Sequence, residues 1–190
     1  MKIAIFTDTF SPDVNGVAKT LERFTQFLDQ TDHCYIVISP KQPKGEIDAG
    51  KIYRQSSFRF PLYKDCRISL PNTNFLKDII LSFQPDIIHL ATPFSIGLSG
   101  LHIAKKYQIP VVGSYHTDFD QYLKYYHLNF LSKPLWRYMK WFHQPLLRIF
   151  VPSSVTYQQL QKRGFTNLQI WQRGVDTKIS IAIFPIITFE

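Results

Sequence analysis

A histidine alternates with carboxylates in the run Gly113-Ser-Tyr-His-Thr-Asp-Phe-Asp120, which places His116, Asp118 and Asp120 within five residues. Imidazole titrates near neutrality and can donate a hydrogen bond to a developing oxyanion or to a sugar hydroxyl. Asp118 and Asp120 are candidates to orient that ring or to bind the hydroxyls of an acceptor. His116 and Asp118 supply only two metal donors. Nothing elsewhere in the chain has metal-ligand spacing, so no metal is expected. Position alone fits a satisfied histidine at a strand end equally well. Of the other five histidines, His89 lies inside an apolar strand-like run, and His33, His102, His127 and His143 read as structural or exposed.

A second constellation is Asp8-Thr-Phe-Ser-Pro-Asp-Val-Asn-Gly-Val17, in which Gly16 is the one glycine. A glycine that opens a helix can present its backbone N–H to a phosphate, helped by the helix dipole. An Asn-Gly turn with a capping role fits the same residues, and both readings stand. Gly-x-Gly-x-x-Gly is absent, so the dinucleotide fingerprint has no support. Asn15 and Asp118 are the acceptor-side candidates.

The third feature is a basic aromatic segment, residues 122–148. From Gln121 to Val175 there are eight cations and no carboxylate, whereas Met1 to Asp120 carries 13 Lys/Arg against 12 Asp/Glu. The net charge of +8 therefore sits largely in one block. Ser132-Lys133-Pro134 fits a helix start with proline in the first turn. Helical spacing puts Lys133, Arg137 and Lys140 in one stripe and Leu135, Met139 and Phe142 opposite, with Trp136, Tyr138 and Trp141 on the flanks. Cations beside interfacial aromatics suit an anionic membrane surface, and Lys133, Arg137, Lys140, Trp136 and Trp141 are the candidates for it. An amphipathic helix with a solvated basic face fits as well. No nucleic-acid-binding module accompanies the charge, so nucleic acid is not the expected partner.

These residues need a frame, and the chain supplies one. Short apolar, β-branched runs at Ile3–Phe6, Tyr35–Ile38, Ile87–Leu90, Val111–Ser114, Arg148–Val151 and Leu168–Trp171 read as strands buried on both faces. Between them lie helical patterns: one carrying Val17, Leu21, Phe24 and Leu28, then Asn72–Phe83, Ser95–Tyr107, and Ser154–Lys162 with Ser153 as N-cap. Repeated β-then-α units imply an α/β, Rossmann-like, doubly wound and mostly parallel sheet. The stretch from Lys41 to Pro71 is irregular, with short strands expected near Ile52–Arg54 and Phe58–Phe60. In such sheets ligands bind outside the carboxyl ends of the strands, where strand order reverses. Gly16 follows the first of these strands and His116 the fourth, on the same edge.

Composition sets the bounds. With 190 residues, 45% apolar and 19% charged, the chain suits one globular domain and not a disordered tail. No apolar run approaches the roughly 20 residues of a membrane-spanning helix. The N-terminus enters a strand at once and does not read as a signal peptide. Cys34 and Cys66 lack metal spacing and read as reduced thiols, which points to a cytoplasmic protein.

Five stretches taken together resemble glycosyltransferase family 4, the retaining enzymes of GT-B fold. They are Met1-Lys-Ile-Ala-Ile-Phe-Thr-Asp-Thr-Phe-Ser-Pro-Asp-Val-Asn-Gly-Val17, Pro85-Asp-Ile-Ile-His89, Gly113-Ser-Tyr-His-Thr-Asp118, Val151-Pro-Ser-Ser154 and Arg173-Gly-Val-Asp176. The similarity runs from Met1 to about Thr177 and implies the N-terminal, acceptor-side half of the enzyme. It implies a nucleotide-activated hexose as donor, such as a UDP- or GDP-hexose. The acceptor would be a lipid or surface glycan, and the location cytoplasmic or peripheral at the inner face of the membrane. By the same resemblance, the Gly16 amide lies near the donor diphosphate, and His116 contacts the transferred sugar and is the catalytic candidate. No metal or other cofactor is implied, because helix N-termini and basic side chains hold the leaving diphosphate.

The expected domains are residues 1–177, family-like, and residues 178–190, a hydrophobic tail with eight apolar residues in thirteen and no family likeness. The family's C-terminal donor-binding domain has no counterpart after Thr177. The expectation is a truncated or frameshifted product that is inactive alone, or one half of a split enzyme whose donor-binding domain is a separate chain. The alternative function is a non-enzymatic membrane-surface or partner-binding module that uses segment 122–148.

Overall fold

The computed structural model describes residues 1–41, 50–60, 63–116, 123 and 129–172. The chain order is β1 (Lys2–Phe6), α1 (Gly16–Leu28), β2 (Cys34–Pro40), β3 (Ile52–Gln55), β4 (Ser57–Phe60), β5 (Tyr63–Ser69), α2 (Thr73–Phe83), β6 (Ile87–Leu90), α3 (Ser95–Tyr107) and β7 (Val111–Ser114). A 3-10 turn at Asn129–Leu131 leads into α4 (Ser132–His143), then β8 (Ile149–Val151), α5 (Ser154–Lys162) and β9 (Leu168–Ile170). Asp118, the Arg173-Gly-Val-Asp176 stretch and the 178–190 tail lie outside the described residues.

Seven strands form one sheet in the order β3-β2-β1-β6-β7-β8-β9, and every neighbouring pair is parallel. The α/β doubly wound expectation is therefore met. The chain builds outward from β1 to β3, then returns to lay β6 on the other side of β1. Strand order thus reverses between β1 and β6, which opens a crevice above their carboxyl ends. The ends are level, since Phe6 pairs with Leu90 and Leu90 with Gly113.

Alternation along the strands sends apolar side chains to two separate cores. Ile3 and Ile5 of β1 pack with Leu21 and Leu28 of α1 on one face. Ala4 and Phe6 pack with Leu76 and Ile80 of α2, Ile96 and Leu101 of α3, and Met139 and Phe142 of α4 on the other. Gly100 lets α3 lie on the sheet, because a Cβ there would sit 2.6 Å from Phe6 Cγ and 2.7 Å from Leu90 Cδ2. Gly97 serves the start of α3, where a Cβ would fall 1.8 Å from the Thr92 carbonyl oxygen.

Boundaries differ from the sequence reading in small ways with identifiable causes. Asn72 stands outside α2 as its N-cap, its side chain accepting from the Phe75 N–H. Arg148 precedes β8, and Trp171 follows β9 instead of ending it. The β4–β5 hairpin is antiparallel and separate from the main sheet, and β5 is absent from the sequence reading. Its run Tyr-Lys-Asp-Cys-Arg-Ile-Ser has charges where a buried strand would have apolar residues. Cys34 is exposed and unbridged.

Candidate functional site

Three loops leave the level edge side by side. Asp8, Thr92 and His116 each stand two residues beyond the ends of β1, β6 and β7. Between these loops lies a small cleft whose walls include Val17, Thr92, Phe94, Ser114, His116 and Met139. Val17, in the first turn of α1, and His116 therefore line one hollow. That is the arrangement the spacing of the sequence requires, with both groups on the carboxyl edge.

The start of α1 is built from its own loop. Asn15, with extended backbone, caps the helix, and its side-chain Oδ1 accepts from the N–H groups of Val17 and Ala18 at 3.0 and 2.9 Å. Its Nδ2 donates to Thr9 Oγ1 at 2.7 Å. Both ends of the Asn15 amide are thus occupied in holding the turn, which is the capping role weighed for the Asn-Gly pair. The Gly16 N–H makes no such bond among the described residues, and no acidic residue stands in the first turn of α1. The positive end of the helix dipole is thus met by the neutral Asn15 amide and by no first-turn carboxylate.

The start of α3 is built differently. Phe94 caps it without a side-chain bond, and the acceptor comes from across the sheet. Asp8 Oδ1 accepts from Ser95 Oγ at 2.7 Å and from the Ile96 N–H at 2.8 Å. Asp8 Oδ2 accepts from Thr92 Oγ1 at 2.7 Å, while the Asp8 N–H donates to that same hydroxyl oxygen at 2.7 Å. Burial pushes the Asp8 carboxyl above the ordinary carboxylate range, against the pull of its bonds to Ile96, Thr92 and Ser95.

Aromatic rings pack beside His116. Both ring nitrogens of His116 are shielded from solvent, and its ring centroid lies 6.4 Å from that of Trp171. Trp171 in turn meets Phe24 of α1 at 5.4 Å and Phe150 of β8 at 5.7 Å. His89 sits beneath, fully buried, with Nε2 at 2.7 Å from the Ser114 Oγ that lines the cleft. Burial pushes its pKa down to about 4, so it is neutral at physiological pH.

The basic aromatic segment divides. Lys133, Arg137 and Lys140 of α4 are exposed, as is Trp141, over which Lys105 of α3 stands 5.3 Å from the ring centroid. Trp136 turns inward: it stacks on Tyr115 and receives the Arg163 guanidinium at 3.9 Å over its ring. The Tyr138 hydroxyl donates to the Pro93 carbonyl in the cleft wall. No helix among the described residues is long and apolar enough to cross a membrane. Among the described residues, no group of three or more His, Cys, Asp or Glu is placed to hold a metal ion.

The sequence reading singles out Gly16 and His116 and not Asp8, Thr92, Ser114, Tyr138 or Trp171. Asp8 had one signal, as the first acid after β1. Its partners lie 84 to 88 residues away, and nothing local announces them.

Residues 14–179 match the family model described as Glycosyltransferase Family 4. Over 184 residues the chain is 30% identical to a GDP-mannose-dependent alpha-mannosyltransferase of Mycobacterium tuberculosis, covering 94% of this chain and 48% of that protein. A GDP-mannose-dependent alpha-mannosyltransferase of Corynebacterium glutamicum is 32% identical, with 94% and 44% covered. An alpha-monoglucosyldiacylglycerol synthase of Streptococcus pneumoniae is 29% identical, with 97% and 42% covered. The chain spans about half the length of the curated relatives it matches. Among solved structures, a UDP-GlcNAc 2-epimerase of Methanocaldococcus jannaschii superposes with a TM-score of 0.53 at 15% identity, over 90% of this chain and 45% of that one. This last likeness concerns the fold.

Proposed function

This chain belongs to glycosyltransferase family 4, and from that premise we propose that it is the acceptor-side half of an enzyme that transfers a hexose from a nucleotide sugar to a lipid or surface-glycan acceptor. The single observation that carries the reading is the shared cleft, with the start of α1 on one wall and His116 on another. A diphosphate set against α1 meets the Gly16 amide and a helix dipole that no first-turn carboxylate answers, which stabilise negative charge as the bond to the sugar breaks. The sugar then extends toward His116, whose ring donates to a hydroxyl or to an oxygen that gains charge. Asn15 holds the turn that aims the Gly16 amide, and Asp118 is the acceptor-side candidate. Such a site needs no metal for the leaving group. Retention of anomeric configuration is part of the proposal and rests on the family alone.

The GDP-mannose-dependent mannosyltransferases among the relatives support a GDP-hexose donor, and the glucosyldiacylglycerol synthase supports a lipid acceptor; a UDP-hexose remains the other donor proposed. A lipid acceptor places the protein peripherally at a membrane, and the exposed stripe Lys133, Arg137 and Lys140 beside Trp141 favours the anionic face. The donor's nucleotide is assigned to the other half of the enzyme, on this chain or on a separate one. Transfer assays with GDP-mannose and UDP-glucose as donors and diacylglycerol as acceptor test the reading. His116→Ala is expected to lower transfer at least ~100-fold, and residues 1–190 alone to transfer little or nothing. Transfer that survives His116→Ala unchanged would contradict it.

The second reading, a non-enzymatic module that binds a membrane or partner through segment 122–148, is favoured by the absence of any carboxylate across that block. It expects vesicle binding with no response to nucleotide sugars.

A further inference from the structure

Two helix starts line the cleft, and they are capped by opposite means. Asn15, a neutral amide, caps α1 from within its own loop. Asp8, a carboxylate, caps α3 from the neighbouring loop and takes up its Ser95 hydroxyl and Ile96 amide. The start of α3 is thereby met by a carboxylate, whereas that of α1 is met by a neutral amide alone.

The two caps are also joined. Asp8 and Thr9 are consecutive; Asp8 grips the start of α3, and Thr9 Oγ1 accepts from Asn15 Nδ2 at 2.7 Å. Thr9 Oγ1 donates in turn to Asp13 Oδ2 at 2.9 Å, and Thr7 Oγ1 to the Thr9 carbonyl at 2.6 Å. A continuous polar path therefore runs from Ile96 through Asp8, Thr9 and Asn15 to the amides of Val17 and Ala18. The loop that aims the Gly16 amide is anchored at its far end by one buried carboxylate, itself 5% exposed.

We propose that Asp8 is a positioning residue for the donor diphosphate: it closes the start of α3 and fixes the loop that opens the start of α1 toward the cleft. This rests on the donor-site reading above and extends it to a residue that touches neither sugar nor phosphate. A carboxylate that served only to stabilise the domain has no reason to govern anion binding at Gly16.

The test is amide NMR of the 190-residue chain titrated with inorganic pyrophosphate. In the wild type the Gly16 amide responds and the Ile96 amide does not. Asp8→Asn keeps an acceptor for Ile96 and a donor for Thr92, and holds pyrophosphate affinity at Gly16 within about threefold. Asp8→Ala weakens it by about tenfold or more, shifts the amides of residues 15–18, and recovers on addition of formate, which refills the carboxylate site. Should Asp8→Ala not fold, Thr92→Val removes the hydroxyl that grips Asp8 without changing side-chain shape. It is expected to weaken pyrophosphate in the same direction. Unchanged affinity in the folded variants, or an Asp8→Asn loss as large as that of Asp8→Ala, overturns the proposal. If Gly16 ignores pyrophosphate in the wild type, the donor-site reading fails. The shift and formate recovery of the 15–18 amides then still decide whether Asp8 positions the loop.

Discussion

His89 and His143 are two imidazoles that the fold keeps from acting as acids. Each has its pKa pushed down to about 4 by burial, and the Nδ1–H of His143 donates to the Met139 carbonyl at 2.7 Å. In the unfolded chain both take up protons below pH ~6.5. The unfolded state therefore binds more protons in that window, and stability falls as pH drops from about 6.5 toward 4. Each contributes a loss of about 2 kcal/mol by pH 5. Urea unfolding at pH 7.5 and pH 5 measures this, and a His143→Asn variant compared with itself at the two pH values shows about half the drop. Asp8 runs the opposite way: its raised pKa means the folded state holds that proton more tightly, a contribution lost as pH rises through the folded value. The sequence set His116 apart by its place after a strand, and that place is confirmed. Nothing in the sequence could separate the buried pair His89 and Ser114 from an ordinary strand contact, because the bond joins residues 25 apart on adjacent strands.

At the level of elements, the close approach of α3 to the sheet decides where Asp8 finds its partners. Gly100→Ala gains about 1 kcal/mol of helix propensity, yet drives a Cβ into Phe6 and Leu90. A net loss of about 1–3 kcal/mol is expected from overpacking. Denaturant midpoints measure it, and a variant as stable as the wild type would mean that α3 does not rest on β1 and β6 as described. Most elements were legible in sequence because parallel strands buried on both faces form unbroken apolar runs, and because Asn and Ser mark the starts of α1, α2 and α5. The start of α3 was legible only in part. Its boundary followed from periodicity, but its cap comes from residue 8, and a cap borrowed across 88 residues leaves no local pattern. The β5 strand escaped for a different reason, since a two-stranded hairpin outside the main sheet has no need for an apolar run.

On the scale of the whole molecule, α4 has two faces: Met139 reaches the cleft, and the cations lie on the exposed side. Tyr138 ties α4 to the cleft wall at Pro93, while Lys133, Arg137 and Lys140 point away from the core, joined by Lys105 beside Trp141. Sedimentation with vesicles containing anionic phosphatidylglycerol is expected to carry the chain down at low salt. Binding should weaken at 0.5 M salt, where screening is short-ranged, and Lys133→Glu with Arg137→Glu should abolish it. Retention that ignores both salt and charge reversal would remove the electrostatic account. The central claim is more local: one hollow receives the donor, with the Gly16 amide at its phosphate and the His116 imidazole at its sugar. The most direct measurement is an NMR titration of the chain with GDP-mannose and UDP-glucose, following the Gly16 amide and the His116 ring together. The account predicts that one of the two donors moves both signals along a single binding curve. Shifts that appear instead at the opposite sheet edge, around Lys2 and Ile87, or separate curves for the two groups, would contradict it.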